Sequence, residues 1–400
     1  MRMISVSRSM SMNPSRRKKP KTLNSSKAHI ALGLSGGVDS ATSAALLLSQ
    51  GYRVTGVTCV FNDADAGTAS EKSSTIAAAE SVCRALGIDH VVYDVREVFR
   101  EQVIDPFITD CARGLTPAPC VTCNRFCKIP VLCQAADELG CEKIATGHYA
   151  RVVEDTALHR FALKRALDEA KDQTYMLSLL TQDQLSRLVL PLGGYTKQEV
   201  RQYALDQGIP VAKRPESQDL CFVAGDYRDF LVEQGITDDP GPIMTRDGEV
   251  VGTHHGIHHF TLGQRKGLGV AMGEPYFVVD KDAQAKSVTI APRDRAFISA
   301  VEMRDLNWML PCPSEPCSVK IRYRSNPALA RVIPLGADRS LETDRSSDHQ
   351  ADGDLLFGAG RVRVEFFEPQ TLTAPGQCCA FYQGSVLIGG GIIDTVAFSA

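Results

Sequence analysis

Residues 28–61 read AHIALGLSGGVDSATSAALLLSQGYRVTGVTCVF. An apolar run opens the stretch and a Gly-Gly turn follows. Next comes a segment with small and apolar residues at helical spacing, stopped by Gly51, and then a second apolar run rich in Val and Thr. Strand, tight turn, helix, strand is the order of a βαβ unit. In LSGGVDS, Leu34 to Ser40, Gly36 and Gly37 expose successive backbone N–H groups at a helix start, and together these form an anion nest. The Gly-Lys-Ser/Thr ending of a Walker loop is missing, and with it the lysine that serves the β- and γ-phosphates. A loop of this kind suits a pyrophosphate leaving group, hence cleavage between the α- and β-phosphates of ATP and transfer of AMP, with Asp39 helping to hold Mg²⁺.

Outward from this unit the alternation continues. A helix is expected around EKSSTIAAAESVCRALG, a strand at HVVYDV, a helix near REVFREQVIDPFI, and a further helix followed by the strand CEKIATG. The fold class is α/β, a doubly wound parallel sheet forming a nucleotide domain over residues 28–214. HRFALKRA reads as a strand and TYMLSLLTQDQLSRLVLPL as a helix. Thr196 and Glu199 form a capping box, and Gly208 is a helix stop. Beyond RPESQDLCFV the character changes. Gly, Pro and aromatic residues separate short alternating runs such as EPYFVVD, KSVTIAP and VRVEFFE, which predicts a small central domain at 215–282 and an antiparallel β-barrel or sandwich at 283–400. GADRSLETDRSSDHQADGD inside the latter is expected to be a poorly ordered surface loop.

The chain has 400 residues, 44% of them hydrophobic, which is more than one core usually serves. Its net charge of -3 hides a basic start: residues 1–27 carry eight Lys and Arg and no acid. That start lacks the apolar core of a secretory signal. It reads as a disordered basic tail or a start codon placed too early, with a transit peptide as the alternative. No apolar run is long enough to span a membrane. Thirteen scattered cysteines without a secretory signal favour a reducing, cytoplasmic setting.

PCVTCNRFCK, residues 119–128, holds Cys120 and Cys123 as a CxxC, and Cys123 and Cys127 share a face if the segment is helical. No second CxxC completes a zinc site. Cys221, in SQDLCFV, is the candidate distant partner. HHGIHH, His254 to His259, lies among glycines with no adjacent Cys or acid, and is read as a loop of the central domain rather than a metal centre.

LSGGVDS, TPAPCVTCN, ATGHYARV, KDQTYML, ESQDLCFV, HHGIHHFTLGQRKGLGV, IRYR, PQTLTAPGQCCAFY and VLIGGGII follow one another in an order that resembles the tRNA-specific 2-thiouridylase family of the PP-loop ATP pyrophosphatase superfamily. The resemblance covers everything after the basic tail. It implies adenylation of O2 of uridine 34 in the anticodon of tRNA, expected to be the Lys, Glu and Gln acceptors, followed by sulfur transfer with Cys123 and Cys221 as catalytic thiols able to form a transient disulfide. A persulfide donor, a cysteine desulfurase or relay protein, is implied as partner. The resemblance places Gly33, Leu34, Ser35, Gly36, Gly37, Val38, Asp39 and Ser40 on ATP, with Cys59 and Gly147 also at the nucleotide. It places Ala118, Pro119, Cys120, His148, Lys171, Asp172, Gln173, Arg322, Tyr323 and Gln377 on tRNA. Arg265 and Lys266 are further expected phosphate contacts.

Two positions depart from the family pattern. Ala118, Pro119 and Cys120 stand where many members have Asn-Pro-Asp, so a proton carried by that Asp must go elsewhere. The change also creates the CxxC, and Cys120, Cys123 and Cys221 could then hold a [4Fe–4S] cluster with one open iron. Sulfur delivery by persulfide or by cluster is left open at the level of sequence. Pro130, the second departure, is expected to interrupt the helix after the cysteines. Two other readings compete: a PP-loop synthetase using ammonia, and a non-catalytic thiol sensor binding nucleotide and RNA.

Overall fold

A computed structural model describes residues 1–7, 27–62, 74–214, 220–223, 225–335 and 360–399. Contacts divide the chain into two units. The first comprises Met1–Gln102, Cys123–Thr174 and Gln182–Phe222, and the second comprises Val103–Thr122, Tyr175–Thr181 and Val223–Ala400.

In the first unit a six-stranded sheet has the order β1-β4-β3-β2-β5-β8. Its strands are β1 (Arg2–Ser7), β2 (His29–Gly33), β3 (Arg53–Val60), β4 (Asp89–Asp94), β5 (Lys143–Ala145) and β8 (Leu188–Val189). The five from β2 onward are parallel, as the βαβ pattern predicts. Helix α1 (Val38–Ser49) packs Ala41, Ala44 and Leu47 against Ile30 and Leu32 of β2 and Val54 of β3, all nearly or fully buried. Each large aliphatic side chain withdrawn from water in this layer contributes about 1.5–3 kcal/mol before entropy is counted. Helix α2 (Ser74–Leu86) adds Ala79 and Val82 to the same core. The chain runs to one side of β2 through β3 and β4, then crosses to the other side for β5. In an open α/β sheet the crevice at the carboxyl ends of strands flanking such a reversal is where ligands bind.

Three expectations are corrected here. The first residues of the basic tail belong to the sheet: β1 runs antiparallel to β4, with Met3 opposite Tyr93 and Ser7 opposite His90. Residues 3–7, MISVS, carry no charge, and β4 otherwise offers an unpaired edge. Residues 8–26 and the charged loop starting at 336 lie outside the described residues. Second, the segment read as one helix from Thr174 divides into a 3₁₀ turn (Thr174–Leu177), the helix Gln182–Arg187 and strand β8. Two tertiary demands override its helical spacing: the Gln182 amide bonds both the N–H and the C=O of Phe161, and Leu188 pairs with Ile144 on the open edge of β5. Third, Pro130 does not end the helix. The chain stays helical through Pro119–Cys123, a π turn at Asn124–Lys128, and Ile129–Glu138, where Pro130 occupies the first turn. The wide turn accommodates a residue that has no N–H to donate.

Strands β6 (Ala150–Asp155) and β7 (Arg160–Arg165) form a hairpin in the first unit. In the second unit, β9 (Gly241–Thr245), β10 (Val250–His254), β11 (Tyr276–Asp282) and β12 (Ser287–Pro292) make a four-stranded sheet in the order β10-β9-β12-β11. β13 (Phe297–Trp308), β14 (Cys317–Lys320), β15 (Ala328–Leu335), β16 (Arg361–Thr371), β17 (Cys378–Gln383) and β18 (Val386–Phe398) follow as an antiparallel barrel. Its order is β13-β16-β15-β14-β17-β18, and pairing of β13 with β18 closes it, so that no strand edge is left open. Phe381, Trp308, Val364 and Ile388 fill its interior.

Candidate functional site

β2 ends at Gly33, and Leu34 N still donates to Val57 O at 2.8 Å, so the loop leaves the sheet with its first residue held. The Thr58 hydroxyl donates to Leu34 O at 2.9 Å; its single proton is thereby used, and His90 Nε2 must be the donor in the 2.8 Å contact it makes with Thr58. Gly36 takes φ +66, and a Cβ there would meet Ala78 Cβ at 2.8 Å and Thr75 O at 2.9 Å. Gly37 caps α1 without any side-chain hydrogen bond. The first N–H groups of α1 therefore point outward, as an anion site needs. Ser40 Oγ folds back to accept from Ser35 N at 3.3 Å and donate to Gly37 O at 3.2 Å, which fixes the loop's curvature. Val38 is buried beneath it.

Gly147 follows β5 and lies against this loop. A Cβ at Gly147 would stand 2.9 Å from Ser40 N and 3.1 Å from the Asp39 carbonyl carbon, so only glycine allows the approach. The loop after β2 and the loop after β5 thus meet at the strand reversal.

Asp39 is held by residues that the sequence reading did not single out. Lys197 Nζ lies 2.7 Å from both carboxylate oxygens, and the Tyr149 hydroxyl donates to one of them at 2.8 Å. Lys197 is the first residue of helix Lys197–Asp206, whose Thr196–Glu199 capping box is formed as expected. A lysine placed by the fold thus stands beside the loop that lacks one in its own sequence.

Cys123 is buried, within hydrogen-bond reach of Cys127 one turn on. The Cys127 hydrogen bond, with help from Lys128, lowers the Cys123 thiol to about 6. Cys127 keeps the shared proton, and its own thiol is raised. Lys128 also acts on Cys59, whose thiol burial pushes up to about 12, and on His148, whose imidazole desolvation lowers to about 3. His148 is therefore a neutral ring, its Nδ1 2.8 Å from Thr146 Oγ1. Cys127 and Lys128 are functional candidates whose signal was present in CNRFCK, as an i, i+4 thiol pair followed by a cation.

Cys221 is exposed, and among the described residues neither it nor Cys123 is in a disulfide. Asn62 Nδ2 donates to Cys221 O at 3.2 Å, just past the end of β3. Phe222 contacts Phe99 edge-on at 5.8 Å, and Phe99 contacts Phe61 at 5.1 Å. This aromatic row ties the Cys221 segment to the carboxyl end of the sheet. Residues 215–219, including all of the SQD before Cys221, lie outside the described residues.

Among the expected tRNA contacts in the first unit, Asp172 turns inward and accepts from Ala166 N at 3.0 Å and from the Thr174 hydroxyl at 2.7 Å. Gln173 exchanges two 2.9 Å hydrogen bonds with the Tyr149 backbone, and Lys171 is half-buried. In the second unit Ala118 O opens helix Pro119–Cys123 by accepting from Val121 N, and Cys120 is exposed. Gln377 Nε2 donates to Thr116 O at 2.9 Å, two residues before Ala118. Gly376, at φ +91, makes the turn that brings it there. Arg322 bonds Leu372 O, and Tyr323 packs on Tyr175 at 6.1 Å between ring centres. Arg265 and Lys266 are both exposed, on the loop after Leu262.

A family model described as tRNA methyl transferase HUP domain matches residues 28–225. Models described as tRNA methyl transferase PRC-barrel domain and aminomethyltransferase beta-barrel domain match 228–292 and 345–393. The chain is 40% identical over 375 residues to a protein of Synechococcus sp. (strain JA-3-3Ab) named tRNA-specific 2-thiouridylase MnmA, covering 92% of this chain and 94% of that one. It is likewise 40% identical over 378 residues to a protein of the same name from Heliobacterium modesticaldum, covering 92% of each. With its namesake from Trichormus variabilis it shares 41% identity over 371 residues, 91% of this chain and 98% of that one.

Proposed function

The chain belongs to the tRNA-specific 2-thiouridylase family, and from that premise we propose that it is an ATP-dependent sulfurtransferase that converts uridine 34 of tRNA to 2-thiouridine, releasing AMP and pyrophosphate. The observation that carries this reading is the convergence, at the carboxyl ends of β2, β3 and β5, of an uncapped helix N-terminus, the close-packed Gly147 and a thiol lowered to about 6.

The pyrophosphate portion of ATP lies on the outward N–H groups of α1, with Lys197 beside it. Asp39, with Ser40, would hold Mg²⁺, which supplies charge neutralisation on the phosphates. O2 of uridine attacks the α-phosphorus and pyrophosphate leaves. The terminal sulfur of a Cys221 persulfide then attacks C2 and AMP departs. The Cys123 thiolate attacks Cys221 Sγ, the S–S bond to the base breaks, and a Cys123–Cys221 disulfide forms, later reduced by an external dithiol. A thiolate available near neutral pH is what that last step requires. The base must leave its stack to be reached; His148, Lys171 and Gln173 of the first unit, and Ala118–Cys120, Arg322, Tyr323 and Gln377 of the second, are each proposed to contact tRNA. Domain limits are proposed with it at 28–214, 215–292 and 293–400; the expected boundary at 282 moves to 292 because β12 pairs with both β11 and β9.

The persulfide route is preferred over a [4Fe–4S] cluster on Cys120, Cys123 and Cys221 because the hydrogen-bonding neighbour of Cys123 is Cys127, outside that ligand set. The substrates are proposed to be Lys, Glu and Gln tRNAs, the donor a persulfide-carrying protein, and the setting cytoplasmic. Among the described residues no helix is long and apolar enough to cross a membrane. Nucleoside mass spectrometry of tRNA from a 2-thiouridine-deficient strain expressing this chain tests the reading. Restoration by wild type, none by Cys221→Ala, and retained tRNA adenylation by Cys221→Ala are expected. A methylated base in place of a thiolated one, or full restoration by Cys221→Ala, overturns it.

A further inference from the structure

His258 lies in the short 3₁₀ turn Ile257–His259 of the second unit, with its side chain only 4% exposed. Its Nε2 is buried and has no hydrogen-bond partner among the described residues. A buried polar nitrogen left in this state has lost its water without gaining a partner, so something is expected to meet it. The nitrogen lies 3.5 Å from Asp238 Oδ1, and His259 Nε2 approaches the same oxygen at 2.8 Å. The two imidazoles are tilted 40° to each other with ring centres 4.1 Å apart.

We propose that Asp238, His258 and His259 form a binding site for a divalent cation of the Zn²⁺ class in the central domain. The three ligand atoms all lie within 4.8 Å of one another. Tetrahedral coordination with bonds of about 2.0–2.1 Å sets ligand atoms roughly 3.3 Å apart, so an opening of a few tenths of an ångström between His259 and Asp238 admits the ion. Two imidazoles and one carboxylate are a Zn²⁺-type donor set. Asp238 is half exposed and leaves the fourth position to water. The sequence around His258 supplies no acid; the fold brings one from the connection between helix Tyr227–Glu233 and β9, 21 positions before His259. The ion ties that connection to the 3₁₀ turn, a cross-link of the kind small sheets use to supplement a thin core.

The test uses the full chain, stripped with chelator and titrated with Co²⁺ and Zn²⁺ separately. Because thirteen cysteines could also take metal, the Co²⁺ absorption spectrum is read for thiolate charge transfer. Expected are one Co²⁺ per chain without a thiolate band, a higher melting midpoint with Zn²⁺, and a loss of affinity of roughly tenfold or more in His259→Ala and in Asp238→Asn. Both substituted side chains reach solvent, so these variants should fold; His258→Ala is avoided because it empties a buried position. Binding that keeps its affinity in both variants, binding only with a thiolate band, or no binding overturns the site.

Discussion

Cys123 shows how much one hydrogen bond can alter a residue. A free thiol titrates at about 8.5 and is mostly protonated at neutral pH, and burial alone raises it further. The Cys127 contact outweighs burial and lowers Cys123 to about 6. Cys127→Ala removes the donor, so the pKa of Cys123 rises. Single-turnover thiolation is then expected to fall roughly tenfold or more at pH 7 and to recover as pH increases toward 9, while Cys127→Ser restores part of the loss. A pH profile identical to wild type would falsify the assignment of Cys127 as activator. The spacing of the two thiols was readable in CNRFCK; their hydrogen bond was not, because it depends on a π turn whose register no i, i+4 pattern specifies. Asp172 makes the complementary point. The family resemblance implied an RNA contact there, and its carboxylate accepts from Ala166 N and the Thr174 hydroxyl. Asp172→Asn is therefore expected to lower the melting midpoint by a few degrees, the consequence of losing about 1–2 kcal/mol, before it alters tRNA affinity.

At the scale of elements, the loop after β2 and the cap of helix Lys197–Asp206 act together. The Thr196–Glu199 box fixes where that helix begins, and so places Lys197 at the Asp39 carboxylate. Thr196→Ala is expected to cost about 1 kcal/mol of stability, measurable by denaturant unfolding. Lys197→Met is expected to raise KM for ATP at least tenfold with tRNA binding unchanged; equal loss of both would mean that Lys197 serves folding instead. Gly147→Ala places a methyl within 3 Å of Ser40 N. The phosphate loop must then shift, and ATP binding by calorimetry should be lost while the fold, judged by circular dichroism, persists. The strand, loop and helix were all legible from AHIALGLSGGVDS, since local glycine chemistry and hydrophobic period agree there. The segment after Thr174 was not, because the edge of β5 and the backbone of Phe161 recruit it.

For the whole molecule, each unit assembles a different part of the chemistry. The first gathers the phosphate loop, Gly147 and both thiols; the second gathers the Ala118–Cys120 segment, Gln377, Arg322 and Tyr323. Gln377→Ala frees the carbonyls at 116 and 117 and is expected to raise KM for tRNA about fivefold, the equivalent of about 1 kcal/mol, with KM for ATP unchanged. An effect on ATP alone would contradict this division. The order of motifs along the chain by itself determined the class of each domain and the position of the glycine-rich loop and singled out the two candidate thiols, because these depend on period, glycine placement and chemically distinctive side chains. Only the tertiary structure decided that Lys197 reaches Asp39, that Cys127 lowers Cys123, that β1 joins the sheet, and that Asp238 meets His258 and His259. Those outcomes rest on contacts between residues whose sequence separation carries no periodic signal, or on a local turn geometry that the pattern leaves free, and burial and hydrogen-bond satisfaction select among them only once the chain is packed.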